Sequence, residues 1–199
     1  MINTKKPLNH KSYGSIPHIA SSKLGYNDKR LAIGQENILF KKTRTKYDNI
    51  VVTEKIDGAN VAIAKVDGIL YPMTRAGNIC SSSMFKQHKD FELYLYNNYN
   101  KFDSILEERE QISGEWLSIA HGTLYDLRKQ DPFVVFDIFT KGRERILFSN
   151  VMKRINKKFA HVPILYSDNQ AVNLNELYKI LGDYGYYNAI ELAEGFVLK

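Results

Sequence analysis

The chain has 199 residues, 44% hydrophobic and 12% aromatic, with 28 Lys and Arg against 22 Asp and Glu for a net charge of +6. That is enough apolar material for one domain with a substantial core and too little for two. The single cysteine, Cys80, excludes an internal disulfide and any cysteine-rich metal site, and no apolar run is long enough for a signal peptide or a membrane span.

A soluble, monomeric, cytoplasmic protein is expected, and the positive excess suits a polyanionic partner such as nucleic acid. No repeat, low-complexity stretch or interdomain linker interrupts the chain. Residues 1–48 are polar, basic and irregular, with Gly14, Pro17 and Gly25 as breakers, and are expected to pack as an N-terminal segment on the same domain. Ile50-Val51-Val52 predicts a strand leading into Glu54-Lys55. Val61 and Ile63 alternate with small residues over 60–66, predicting a second strand. Asp67-Gly68 is a favoured pair for a tight hairpin turn, and Ile69-Leu70-Tyr71 begins the return. Pro72 confines that return strand to an edge or interrupts it.

Residues 84–99 place Met84, Phe91, Leu95 and Tyr99 on roughly one helical face. Ile112 to Leu117 and Phe133 to Phe139 read as strands, the second apolar enough to be buried on both faces. A helix capped near Ser149 carries Val151, Met152, Ile155 and Phe159. Another runs from about Asn173 through Leu177 and Leu181 to a stop at Gly185, and Gly195 to Lys199 forms the last strand. This mixture predicts an α+β domain built on antiparallel sheets.

Lys55-Ile56-Asp57-Gly58 is the most informative local feature. A lysine at a strand end, followed at once by a tight polar turn, is presented on a fixed backbone. Burial, nearby cations or a metal ion favour its neutral, nucleophilic amine. Gly58 lets the backbone turn sharply or approach a ligand closely. Alone, the tetrapeptide equally describes a solvated lysine before an Asp-Gly turn. Four more segments accompany it: Arg75 in Thr74-Arg75-Ala76-Gly77-Asn78, Glu115 in Ser113-Gly114-Glu115-Trp116, Phe136-Asp137 in the apolar strand, and Glu194-Gly195-Phe196-Val197-Leu198-Lys199. Separately they read as a surface cation, a paired strand charge, a core ring and a cap. Together those bland explanations must coincide five times.

In this order and spacing the chain resembles the covalent nucleotidyltransferases, which comprise ATP-dependent DNA ligases, RNA ligases and mRNA capping enzymes. Lys55-Ile56-Asp57-Gly58 matches their motif I, Gly114-Glu115 motif III, Phe133 to Ile138 motif IIIa, and Glu194 to Lys199 motif IV. Within the superfamily it is most similar to RNA ligases of the phage T4 Rnl2 type and their bacterial and phage relatives. Asn60, Phe196 and Gly114-Glu115-Trp116-Leu117, with His121 and Tyr125-Asp126 downstream, carry that similarity. It covers about residues 49–199, and residues 12–25 (SYGSIPHIASSKLG) are more loosely similar to the N-terminal segment of such relatives.

The resemblance implies an ATP-grasp-like adenylation domain over 49–199, with antiparallel sheets flanked by helices. Lys55 would form a lysyl–AMP phosphoramidate from ATP, Glu194 would act at a catalytic Mg²⁺ (or Mn²⁺), and Lys199 would work near the α-phosphate. Glu54 and Asn60 would help hold adenine and the sugar or phosphate region, with Asp57 and Gly58 completing that loop. Arg75 and Glu115 would bind the sugar, and Phe136 would stack on adenine. AMP would then pass to a 5′-phosphate end, RNA above all, and a 3′-hydroxyl would displace it. Lys5, Lys6, Lys11 and Lys23, with the cluster Arg143, Arg145, Lys153, Arg154, Lys157 and Lys158, would contact the strand backbone; the second group equally describes a solvated helix face. The family places a lysine-bearing motif V after motif IV. The chain ends at Lys199, so the domain reads as truncated after motif IV.

An ATP-dependent RNA ligase is therefore expected. A DNA ligase or nick sealer shares motif I, while a capping guanylyltransferase lacks support in any guanine-reading feature. A small-molecule adenylyltransferase would transfer AMP without a polynucleotide. A degenerate ligase fold that only binds nucleic acid is the non-enzymatic alternative, but such a protein needs none of Lys55, Glu115 and Glu194.

Overall fold

The computed structural model describes residues 5–26 and 28–199. Helix α1 (Ile33–Phe40) lies inside the stretch expected to be irregular. No side chain caps its start at Ala32 and none of its residues is fully buried. Leu39 and Phe40 pack against Ile50, Val52, Val172 and Leu177, and the Val172 N–H donates to the Leu39 carbonyl at 2.9 Å. Tertiary contact sustains this short helix, which is why local periodicity does not reveal it.

Strand β1 (Ile50–Lys55) is followed by the hairpin of β2 (Ala59–Val66) and β3 (Ile69–Thr74). Asp67 and Gly68 turn it with φ of 50° and 74°, the positive pair that matches the twist of the flanking strands. Pro72 pairs with Ile63 on β3, an edge strand, where its missing N–H interrupts no inner ladder. A 3₁₀ turn at Cys80–Ser82 precedes α2 (Lys86–Asn97) and α3 (Tyr99–Asp103). The single helix expected over 84–99 is thus shorter: Phe91 and Leu95 are buried, but Met84 precedes the helix and is 93% exposed, and Tyr99 opens the next one.

Then come β4 (Gln111–Trp116), β5 (Phe133–Phe139), α4 (Phe148–Ile155), β6 (Ile164–Asp168), α5 (Leu174–Leu181) and β7 (Gly195–Leu198). Ser149 sits inside the first turn of α4 rather than capping it, and Phe159 lies beyond its end. The Asn173 side chain does cap α5, accepting from the Asn175 and Glu176 N–H groups. That helix stops at Gly182, not Gly185. Strand β6 has no counterpart among the expected strands, because its residues alternate poorly and none is buried.

All strand pairs are antiparallel, in two sheets ordered β6-β1-β7 and β3-β2-β4-β5. Helices α2, α3 and α4 cover the four-stranded sheet around Phe91, Leu95, Phe102, Phe133, Val151 and Ile155. Phe133 lies 5.3 Å from Phe91 and 5.7 Å from Phe102, ring to ring. Each fully buried ring contributes about 1.5–3 kcal/mol by leaving water. A second cluster joins the sheets, with Val51 of β1 and Val134 of β5 packed among Ile56, Leu117, Phe148 and Val162. The connection Ile56–Gly58 crosses from one sheet to the other, so Lys55 ends one sheet beside the start of the next. Among the described residues no helix is long and apolar enough to cross a membrane.

Candidate active site

The seam between the sheets opens into a cleft of about 760 Å³. Glu54, Lys55, Asp57, Gly58, Asn60, Arg75, Glu115, Phe136, Glu194 and Lys199 all line it. They come from β1, the crossing turn, β2, the end of β3, β4, β5 and both ends of β7.

Lys55 pairs with Gly195 in the β1–β7 ladder, which sets the preceding Glu194 beside it. The Lys55 amine donates to the Glu194 carboxylate, and the lysine side chain stays 40% exposed to the cleft. The crossing turn can lie this close to β4 only because residue 58 is glycine. A Cβ there would stand 2.7 Å from the Trp116 carbonyl oxygen and from the Leu117 side chain. The Asp57 carboxylate accepts from the N–H groups of Gly122 and Thr123 at 2.5 and 2.9 Å, fastening the loop that carries His121.

Glu115 faces Asn60 across the β2–β4 ladder. Burial pushes its carboxyl up to about 8; the Lys55 cation opposes that shift, while Glu194 and Asp57 reinforce it. The Asn60 Oδ1 is buried without a hydrogen-bond partner among the described residues, an acceptor waiting for a donor. Glu54 forms part of the wall, but one carboxylate oxygen accepts from the Tyr186 N–H at 2.7 Å and the other is buried with no partner among the described residues. Burial raises this carboxyl above its ordinary range, and the Tyr186 and Tyr187 N–H groups pull it back. Gly185 makes the contact possible: a Cβ there would overlap the Glu54 carboxylate.

On the opposite wall, Phe136 is partly open to the cleft and Phe139 is likewise only partly buried, so β5 is not covered on both faces throughout. The Tyr13 ring meets Phe136 edge-on at 5.0 Å, and its hydroxyl donates to Asp137 at 2.5 Å. Lys199 donates to the other Asp137 oxygen at 2.9 Å and to the Phe136 carbonyl at 2.5 Å. Burial lowers the lysine's pKa, and Asp137 partly restores it. Arg75 extends from the hairpin end to the Gly14 carbonyl at 3.1 Å, while its own carbonyl accepts from the Ser12 and Tyr13 N–H groups. Sequence reasoning does not single out Tyr13 and Asp137 as site residues. The one signal it offers is a carboxylate set in an almost wholly apolar strand.

The family model for RNA ligase matches residues 48–199. An apo variant of Naegleria gruberi RNA ligase shares the fold with a TM-score of 0.56 at 18% identity, covering 77% of this chain and 46% of that one. Another variant of the same ligase, solved with ATP and Mn, gives 0.58 at 19% identity over 83% of this chain and 49% of that one. An uncharacterized protein of Methanocaldococcus jannaschii is 31% identical over 116 residues, 55% of this chain and 27% of its own length. The chain thus spans about half the length of the ligase structures and less of the archaeal relative. The fold and the family match, taken with the motif residues gathered in one cleft, lead to one assignment: this chain belongs to the RNA ligase family.

Proposed function

We propose that the chain is the adenylating part of an ATP-dependent RNA ligase, with Lys55 as the nucleophile. The observation that carries this reading is the Lys55 amine held by Glu194 at the mouth of a cleft that also presents Phe136, Arg75, Glu115 and Lys199. Phe136 offers a ring face for adenine, and Arg75 and Glu115 offer contacts for the sugar. A base and sugar fixed in this way set the α-phosphate against the amine, converting a collision into an intramolecular step. The neutral Lys55 amine attacks the α-phosphorus, forming a P–N bond. The bond from that phosphorus to the bridging oxygen breaks, pyrophosphate leaves with the electron pair, and the amine proton passes to water in the open cleft. Lys199, with its charge held beside Asp137, balances negative charge building on the α-phosphate.

Among the described residues no group of three His, Cys, Asp or Glu side chains forms a ready metal cage. The residues present fit an ion carried largely by nucleotide phosphates and steadied by one carboxylate, Glu194. Such an ion, held by Glu194, would neutralise charge on the leaving pyrophosphate. Solved Naegleria gruberi ligase variants with ATP and Mn support that choice. The adenylyl group then passes to a strand's 5′-phosphate, freeing Lys55, and a 3′-hydroxyl attacks that phosphate to expel AMP.

Incubation with α-labelled ATP and a divalent ion, followed by denaturing electrophoresis, tests the first step. Label retained on the wild type, absent with labelled GTP and lost in Lys55→Ala is the expected result. A wild-type chain that takes no label refutes the reading.

A further inference from the structure

A second, smaller cavity of about 210 Å³ shares Gly14 of the N-terminal segment with the active-site cleft. Lys11, Arg109, Lys141 and Arg143 line it together with His10 and Gln111, and among the described residues no carboxylate does. These four cations come from three separate parts of the chain: the N-terminal segment, the approach to β4 and the turn after β5. None of their side chains makes an ion pair or hydrogen bond among the described residues. Glu108, next to Arg109 and within its field, commits its carboxylate to the Asp67 and Gly68 N–H groups.

The contrast with neighbouring cations is informative. Arg145 reaches Asp137, and Arg154 is bound to Glu110 and the Ile105 carbonyl. The basic cluster that looks uniform in sequence is therefore divided: some members brace the core, and Arg143 joins Lys11 at the cavity. Arg109 and Arg143 also hold left-handed backbone, with φ of 64° and 65°, a region sparsely used outside glycine. Four like charges around one small cavity repel one another, and an anion relieves that repulsion. A phosphate group has the size and charge to do so, and guanidinium groups match its oxygens in pairs.

We propose that this cavity binds a phosphate of the polynucleotide strand whose end occupies the active-site cleft. The choice of ligand rests on the ligase reading above. Gly14 lines both the cleft and the cavity, and no atom lies within 4 Å of where a side chain would start there, so a strand leaving the cleft would pass over Gly14 to reach the four cations.

The test compares the full chain with the double variant Lys141→Gln/Arg143→Asn, in which asparagine tolerates the left-handed backbone. Binding of a fluorescent single-stranded RNA oligonucleotide is followed by anisotropy across a salt series. The variant should bind about tenfold more weakly, and its plot of log affinity against log salt should flatten by about 0.7 for each phosphate that the variant no longer neutralises. A charge-matched control at two exposed lysines that line neither cavity, Lys41→Gln/Lys42→Gln, should leave the slope near that of the wild type. An unchanged slope in the cavity variant, or equal flattening in the control, overturns the proposal. Inorganic phosphate separates the two sources of the ligand. If it raises the Tm of the wild type alone while the RNA slopes of wild type and cavity variant coincide, the cavity takes free phosphate and the strand assignment fails. Lysyl–AMP labelling, expected to be equal in the wild type and the cavity variant, is scored separately. Its absence in the wild type sinks the adenylation reading and leaves the slope comparison intact.

Discussion

Tyr13 and Asp137, 124 positions apart in the chain, meet through a 2.5 Å hydrogen bond from the phenol to the carboxylate. Asp137 is 1% exposed and also accepts from Lys199 at 2.9 Å. Tyr13 in turn leans on Phe136 and ties its N–H to the Arg75 carbonyl. One N-terminal tyrosine therefore ties β5 to the hairpin end at Arg75. Tyr13→Phe keeps the ring and removes the donor to a buried carboxylate. It should lower stability by about 1.5–3 kcal/mol in urea unfolding and raise the KM for ATP in lysyl–AMP formation. A variant indistinguishable from wild type in both would show that Lys199 and Arg145 suffice to hold Asp137.

Glu115 offers a pH-dependent prediction. Its folded carboxyl is pushed up to about 8, chiefly by burial. Between the ordinary carboxyl range and about 8, the folded chain holds a proton that the unfolded chain has released. This group therefore subtracts stability as pH rises through that window. Glu115→Gln, neutral at every pH, should gain on the wild type in Tm between pH 5 and pH 8. A Tm difference that stays flat with pH would mean that Glu115 ionises normally in the folded protein.

Gly58→Ala should be severe for so small a change. The added methyl would lie 2.7 Å from the Trp116 carbonyl, and backbone does not yield as a side-chain tip would. Overpacking of this kind costs about 1–3 kcal/mol, and the displaced turn carries Lys55 with it. Loss of both Tm and labelling is expected, and retention of either at the wild-type level would argue against this packing.

Asp57 has two separable effects. Asp57→Ala should speed amide hydrogen exchange at Gly122 and Thr123, whose N–H groups it now binds. It should also lower the Glu115 midpoint, because the Asp57 charge helps to raise it. Exchange rates and a carboxyl titration followed by NMR check the two effects independently.

Phe136→Ala should weaken ATP binding by about 1–3 kcal/mol, the usual worth of a base stacked on an aromatic ring. That corresponds to roughly 5- to 150-fold in affinity. Unchanged affinity in isothermal titration would place adenine elsewhere in the cleft.

Much of the local architecture is legible because its causes are local. The run Ile50-Val51-Val52, the Asp67-Gly68 turn and the Asn173 cap each act through neighbours a few positions away. Helix α1 and strand β6 are illegible for the opposite reason. α1 leans on Ile50, Val52, Val172 and Leu177, and β6 exists as a partner for β1. The residue types that line the cleft and their order are also legible, because a lysine, an aromatic ring and charged side chains are identities rather than distances.

What those residues do to one another is not. Gly185 looks like a helix stop in the sequence, yet in the fold it is the space that admits the Glu54 carboxylate. Arg143 and Arg145 stand two positions apart, yet one joins a cavity lined by cations and the other braces Asp137. The order of residues along the chain is enough to set the chemical alphabet, the strands with local signals and the family. Folding is needed to settle which carboxylate is raised, which cation meets a carboxylate and which glycine is indispensable. Desolvation, Coulomb attraction and steric overlap depend on separation in space, and the chain sets that separation only once it has folded.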